Sequence, residues 1–275
     1  MSTGTSELVP VLDQRERRVP RPQPLRPIRD ALTVTARNLI AYTRVPQLVV
    51  FSTVQPVIFV LLFRYVFGGA LRIPGSVPYV DYLMPGIFVQ TTVFGSLGTA
   101  VGLAADLKSG LLERFRSLPM ARSAVLAGRT TADLARNVFV VALMLAVGFA
   151  VGFHLHTNVL ALLAGLGLVL LFGYTMSWVF ATVGLAVGDP ETAQAAAFPV
   201  LAPLVFASSV FVPVSSMPSW LQGFAAHQPV SVTASAVRAL LIGGPTTSWV
   251  LQSIAWCAGI LLVFAPLAVR KYRKI

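Results

Sequence analysis

Six apolar stretches, each near the ~20 residues that a membrane-crossing helix needs, alternate with short polar breaks along this chain. They cover residues 47–67, 82–107, 137–153, 159–187, 190–212 and 249–269. Gly188, Asp189 and Pro190 separate the fourth from the fifth, with Asp189 placed to cap a helix and Pro190 suited to its first position. Six spans, an even number, put both chain ends on one side. Ahead of them, Ile28, Leu32, Ala36, Leu39 and Thr43 recur at helical spacing, while Arg29, Thr33, Arg37 and Arg44 fall on other faces. Residues 28–46 therefore predict an amphipathic helix lying along a membrane surface, where it either anchors the chain or cradles a soluble subunit. Between the fifth and sixth spans, Pro218 can start one short helix bearing Trp220 and Phe224. Gly243 and Gly244 can stop a second that contains Arg238. Such a pair can dip back into the bilayer as an outer gate, or sit at the interface as an aromatic anchor. The expected architecture is an all-α polytopic membrane protein: a disordered Pro- and Arg-rich tail (1–27), the interfacial helix (28–46), a six-helix membrane domain (47–270) and a basic tail (271–275).

Charge placement orients these spans. Of 21 Lys and Arg residues, all but Arg64, Arg72 and Arg238 fall in residues 1–46, in 108–136 or in the last six positions. Positive charge is retained on the cytoplasmic side, so both termini and the 108–136 loop are expected inside the cell membrane. Residues 1–30 lack the apolar core of a cleaved signal peptide. A hydrophobic share of 56% with only 11% charged residues, and a mean hydropathy of +0.77, lie outside the range of soluble domains. The net charge of +11 does not indicate nucleic acid, because the cations flank apolar spans and form no basic face interleaved with aromatics. Membrane lipid headgroups and a cytosolic partner are the expected counter-charges.

The chemistry narrows by elimination. No Gly-Lys-Ser/Thr turn exists to wrap a nucleotide phosphate, so this chain is not expected to hydrolyse ATP itself. None of the ten acids falls near the middle of a predicted span, where ion-coupled carriers place their binding carboxylates. His154 and His156 flank a turn, His227 stands alone, and the single cysteine, Cys257, lies in an apolar run. No catalytic residue and no metal set is assigned, and no cofactor is expected on this chain. Gly98 and Gly102, like Gly148 and Gly152, have the spacing that lets helices approach closely within one chain.

The largest loop carries the most specific pattern. Gly110 loosens the end of the second span and Pro119 stops a short helix. On that helix Leu111, Phe115 and Leu118 share a face flanked by Glu113, Arg114 and Arg116, as suits a groove on a partner or a layer of headgroups. The stretch LLERFRSLPMARSAVLAGR within 110–129 closely resembles the first cytoplasmic loop of type-2 ABC exporter permeases of the daunorubicin-resistance group. FRYVFGGAL (63–71), YLMPGIFVQ (82–90) and the block from 208 to 241 are similar to the same group, in the same order.

The resemblance implies a transport subunit, used in two copies, that pairs with two copies of a separate ATPase carrying ATP and Mg. It implies a coupling helix involving Gly110, Leu111, Leu112, Glu113, Arg114, Phe115, Arg116, Leu118, Pro119 and Arg122. A connecting helix with Arg29, Arg37 and Arg44 would lie beside it. The substrate route would run at the homodimer interface, with Gln55, Arg64, Phe88, Gln90, Thr91, Thr92, Ser208 and Ser209 as candidates. Arg64 fits either that role or snorkelling to the membrane surface. Pro218, Trp220, Phe224 and Arg238 are the outer-gate candidates. The implied activity is ATP-driven export of an amphipathic drug-like or lipid-like molecule; an ATP-independent channel or carrier is the alternative.

Overall fold

A computed structural model describes residues 32–38, 46–69, 77–111 and 122–274. Every regular element among them is helical. The long elements are α1 (Pro46–Leu61), α2 (Tyr79–Lys108), α3 (Arg122–Ala150), α4 (Val159–Val187), α5 (Pro190–Phe206), α6 (Ser219–His227), α7 (Pro229–Ile242) and α8 (Thr246–Lys274). A wider π turn, Leu62–Phe67, continues α1. Four of these helices are long and apolar enough to cross a membrane: α2, α3, α4 and α8. α1 and α5 occupy the predicted first and fifth spans but are shorter, at 16 and 17 residues.

Local chemistry sets the helix ends. The Asn158 side chain caps α4 by accepting from the Ala161 amide, and Gly188 closes it in the left-handed region at φ 75°. Asp189 caps α5 by accepting from Thr192, with Pro190 first inside the helix, as the sequence predicts. α5 then stops at Phe206 instead of continuing to 212. Pro199 and Pro203 remove two amide donors, and the chain after it turns across α2, where Gly86 lies directly under the Val210 backbone. Pro218 and Gly243 bound the α6–α7 pair at the predicted places.

Two other boundaries differ from the sequence expectation. α3 begins at Arg122, not near Asn137, so Arg129, Asp133 and Arg136 belong to a membrane-length helix and not to a loop. α8 runs to Lys274, and Tyr272 is buried, so the basic end is helical and packed, not a separate tail. Residues 32–38 are helical, and the side they bury is Val34, Thr35 and Asn38; Leu32, on the predicted apolar face, is 60% exposed. The 1–27 tail, Arg29, Arg44 and the loop residues Leu112, Glu113, Arg114, Phe115, Arg116, Leu118 and Pro119 lie outside the described residues.

α2 is the central element. Its first half, from Tyr79 to Val93, is buried continuously against α4, α5 and α7. Helices in lipid gain little from mutual burial of apolar surface, so close contact must supply the attraction. α4 brings small residues to that contact: Gly184 meets the Ala100 carbonyl, Gly173 meets Thr92, and Ser96 Oγ donates to the Gly173 carbonyl at 3.2 Å. The outward faces of α4 and α8 instead present Leu160, Leu163, Leu251 and Leu262 to the surroundings. Apolar exposure on that scale suits a bilayer and not water.

Candidate substrate cavity and its two ends

At the Lys108 end, side chains from α3 and from residues 32–38 converge on one carboxylate of α2. Asp106 accepts from Arg129 Nη1 at 3.3 Å and stands 3.7 Å from Arg37 Nη2. Arg129 Nε lies 4.0 Å from Asp133, which also accepts from Thr99 Oγ1 at 2.5 Å. Thr35 Oγ1 donates to the Gly128 carbonyl at 3.0 Å. Helix 32–38 is thereby fastened to both α2 and α3. Nearby, Lys108 Nζ donates to Asp189 at 2.7 Å, and this contact, with the Thr192 bonds, lowers the Asp189 carboxyl to about 2. After α2 ends, Gly110 takes φ 68°, which only glycine adopts freely.

Above this cluster lies a cavity of about 420 Å³. Gln55 and Pro56 of α1 form one side and Gln194 of α5 another. Arg129, Arg136, Asn137 and Val140 come from α3. The remaining wall is α2, through Thr91, Phe94, Leu97 and Val101 with Gly95, Gly98 and Gly102 between them. Those glycines have a definite use. A Cβ at Gly102 would collide with the Arg129 guanidinium, and one at Gly98 would sit 2.9 Å from Arg136 Nη1. One at Gly95 would sit 3.0 Å from Arg136 Nη2, which donates to the Gly95 carbonyl at 2.6 Å. The glycine row on α2 is a bed on which two guanidinium groups lie.

The opposite end is closed. Arg238 of α7 donates to the carbonyls of Tyr82 at 3.1 Å and Ser209 at 3.0 Å, and lies 3.7 Å from the centre of the Tyr82 ring. Tyr82 and Tyr79 hydroxyls donate to Ser209 and Phe211 carbonyls, each at 3.1 Å. The Ser209 amide donates to Ser231 Oγ at 2.9 Å. Asp81, fully buried, accepts from the His154 amide at 2.9 Å and pairs with His156 Nε2 at 2.8 Å. Thr157 Oγ1 donates to Leu240 at 2.7 Å, tying the α3–α4 turn to α7. Beside this knot Phe63 of the π turn stacks on Phe211 at 4.4 Å.

The sequence candidates divide between these places. Gln55 and Thr91 line the cavity. Thr92 packs on Gly173, and Phe88 meets Phe153 edge-on at 6.4 Å. Gln90 is buried away from the cavity lining. Ser208 and Ser209 belong to the closed end, with Ser208 Oγ donating to the Val205 carbonyl. Arg64 lies beside Tyr65 and reaches the Val151 carbonyl only at 3.4 Å. Of the gate candidates, Arg238 is built into the knot, while Trp220 is 79% exposed and Phe224 also faces outward. Pro218 is the residue before α6. Gly110 and Leu111 are the last described residues before the loop, and Arg122 begins α3.

Sequence reasoning missed Arg129, Arg136, Asn137 and Gln194 as cavity residues. The available signal was spacing: Arg129 and Arg136, seven apart, face Gly102 and the Gly95–Gly98 pair at matching intervals on α2. Two buried carboxylates also lie on membrane-length helices, Asp81 in the first turn of α2 and Asp133 in the part of α3 that precedes the predicted span. Both are paired, which is what makes their burial tolerable. Among the described residues no set of His, Cys, Asp and Glu could hold a metal.

The fold is that of a helical membrane protein with a mainly apolar cavity, edged by a few polar groups, between its helices. The chain belongs to the ABC-2 type transporter family, whose profile matches residues 29–242. It is 34% identical over 245 residues to the daunorubicin resistance ABC transporter permease protein DrrB1 of Streptomyces coeruleorubidus, covering 88% of this chain and 86% of that one. It is 29% identical to the probable doxorubicin resistance ABC transporter permease protein DrrC of Mycobacterium tuberculosis, over 90% and 89% of the two chains. A putative transport permease, ycf38 of Cyanophora paradoxa, is 27% identical over 82% and 78%. The resemblance read from the loop and its flanking blocks is thus confirmed at the level of family, and the chain is a membrane permease of the ABC-transporter kind.

Proposed function

We propose that this chain is the membrane subunit of an ATP-driven exporter of amphipathic drug-like or lipid-like molecules, powered by a separate ATPase. In this reading it works as a homodimer in the cell membrane, with two ATPase copies holding ATP and Mg. α1 with its π turn, α2, α3, α4, α5 and α8 are the six crossings, both termini are cytoplasmic, and α6 and α7 are a re-entrant pair on the outer side. The relatives' names, drug-resistance permeases of ABC transporters, support the export role.

The observation that carries it is the shared position of Arg129. It lies in the ion cluster with Asp106 at the Lys108 end, to which Arg37 also belongs, and it lines the cavity. The 112–121 loop leaves from this same end. A push delivered there by an ATPase, through the loop and helix 32–38, would reach the cavity wall within one side chain. Rigid-body movement of packed helices is one of the ways in which a local push is passed on.

The test is to disrupt the coupling surface and leave the membrane domain alone. Phe115→Asp and Glu113→Arg are expected to insert normally, to lose the ATPase on co-purification, and to abolish ATP-dependent export. Unchanged co-purification together with unchanged export in both variants would reject the assignment.

A further inference from the structure

The last turns of α8 present one charged face. Tyr272, 2% exposed, shares a buried cluster with Leu103 of α2, Leu126 of α3 and Leu185 of α4, and this packing fixes how the helix is rolled about its axis. At about 100° per residue, Arg270 and Lys274 project from the side opposite Tyr272, with Arg273 beside them. All three are exposed, while Lys271, on the flank, is half-buried. Among the described residues no ion pair joins Arg270, Arg273 or Lys274 to a carboxylate.

The same side of α8 is apolar just before these cations. Leu262, Val263 and Leu267 stand on it at 77%, 59% and 43% exposure, which suits hydrocarbon and not water. From Trp249 to Arg270 the helix rises roughly 31 Å at about 1.5 Å per residue, a match to the ~30 Å hydrocarbon core of a bilayer. With Trp249 at one boundary, the three cations stand at headgroup level on the other, beside the Lys108 end of α2.

We propose that this side of α8 binds an anionic phospholipid. The acyl chains run along Leu262, Val263 and Leu267, and the headgroup meets Arg270, Arg273 and Lys274. A zwitterionic headgroup brings its own cation to the same place, so the three positive charges favour an anionic one. An acidic protein surface would meet the cations alone, whereas a lipid follows both halves of the stripe. The site also has a structural consequence. Leu103 and Leu126, against which Tyr272 packs, lie one turn from Asp106 and Arg129, so a lipid that steadies the end of α8 steadies the helices carrying the ion cluster. Binding there needs neither ATP nor a second polypeptide, so it can fail while the export reading holds, and the reverse.

The test uses the full-length permease in detergent, titrated separately with dioleoylphosphatidylglycerol and dioleoylphosphatidylcholine, with bound lipid counted by native mass spectrometry. The first phosphatidylglycerol is expected to bind at least about ten-fold tighter than phosphatidylcholine, since each cation near a membrane surface is worth about five-fold. The preference should shrink as salt rises. Arg270→Gln is expected to weaken phosphatidylglycerol about five-fold, and Lys271→Gln clearly less, because Lys271 stands off the face. Arg270→Gln, Arg273→Gln and Lys274→Gln combined should bring the two lipids within about two-fold of each other and leave phosphatidylcholine binding unchanged. The single variants keep the test decisive if the triple variant inserts poorly.

Equal affinity of the parent for the two lipids would overturn the proposal, as would a loss in Lys271→Gln as large as that in Arg270→Gln. A triple variant that keeps its preference for phosphatidylglycerol but no longer co-purifies with an ATPase would also overturn it, and would give the face to a protein partner.

Discussion

Two arginines of this chain sit in opposite circumstances. Arg238 is enclosed by two carbonyls and a tyrosine ring, and it binds α7 to α2 and to the turn after α5. Arg136 rests on glycines with a cavity in front of it. A guanidinium within a membrane domain is costly unless it finds partners, and the two ends of the molecule solve this differently. At the closed end the arginine's partners come from two elements, α2 and the turn after α5, and it fixes both to α7. At the open end Arg136 donates to the Gly95 carbonyl of α2 and lines the cavity.

The largest expected effect breaks the closed end. Arg238→Ala removes the guanidinium that donates to the Tyr82 and Ser209 carbonyls and stacks on the Tyr82 ring, and should destabilise the fold by roughly 2–4 kcal/mol. The check is a lowered unfolding midpoint in detergent, and an unchanged midpoint would show that the knot does not hold α7.

A matched pair of glycine substitutions sharpens the contrast. Gly86→Ala drives a methyl group into the Val210 backbone, which cannot step aside, and should cost about 1–3 kcal/mol. Gly102→Ala meets only the tip of the Arg129 side chain, which can swing away. Its unfolding midpoint should stay within about 1 kcal/mol of the parent, while export changes because the cavity wall and the Asp106 cluster are displaced. Equal loss of stability in the two variants would erase the distinction between a packed end and an adjustable one.

Smaller effects are expected where the contacts are exposed. Arg64→Ala removes a long 3.4 Å contact and should leave stability within about 0.5 kcal/mol and export normal. A marked loss of export would return Arg64 to the substrate route. The Lys108–Asp189 pair contributes least near neutral pH, being open to solvent and screened by salt. Because the folded Asp189 carboxyl is lowered to about 2, its contribution is present above the ordinary carboxylate value and is lost as pH falls through about 2. Lys108→Met should therefore lower stability slightly and evenly at pH 6–8, have no effect below about pH 2, and flatten only part of the acid-range slope of the pH–stability curve, because the Thr192 bonds to Asp189 remain.

How much of this was legible in the sequence follows the same division. α4 matched residue for residue because its ends are chemical: Asn158 caps one and Gly188 closes the other. The α6–α7 pair was found through Pro218 and Gly243 for the same reason. The start of α3 was not, because Arg129, Asp133 and Arg136 read as loop charges under a rule that keeps charge out of spans. Their burial depends on partners from α2, far away in the chain, and a hydropathy window cannot see partners. The cavity was missed with it. Gly98 and Gly102 were read as sites of close helix approach, whereas they face the Arg136 and Arg129 guanidinium groups on the cavity wall, which spacing alone does not reveal.

The central claim is that energy enters this permease from a second polypeptide at the Lys108 end and reaches the cavity from there. Transport by vesicles reconstituted with the permease, with and without the ATPase and ATP, tests it most directly. Movement of an amphipathic probe is expected only when the ATPase and ATP are both present. Transport at the same rate by the permease alone, without ATP, would contradict it.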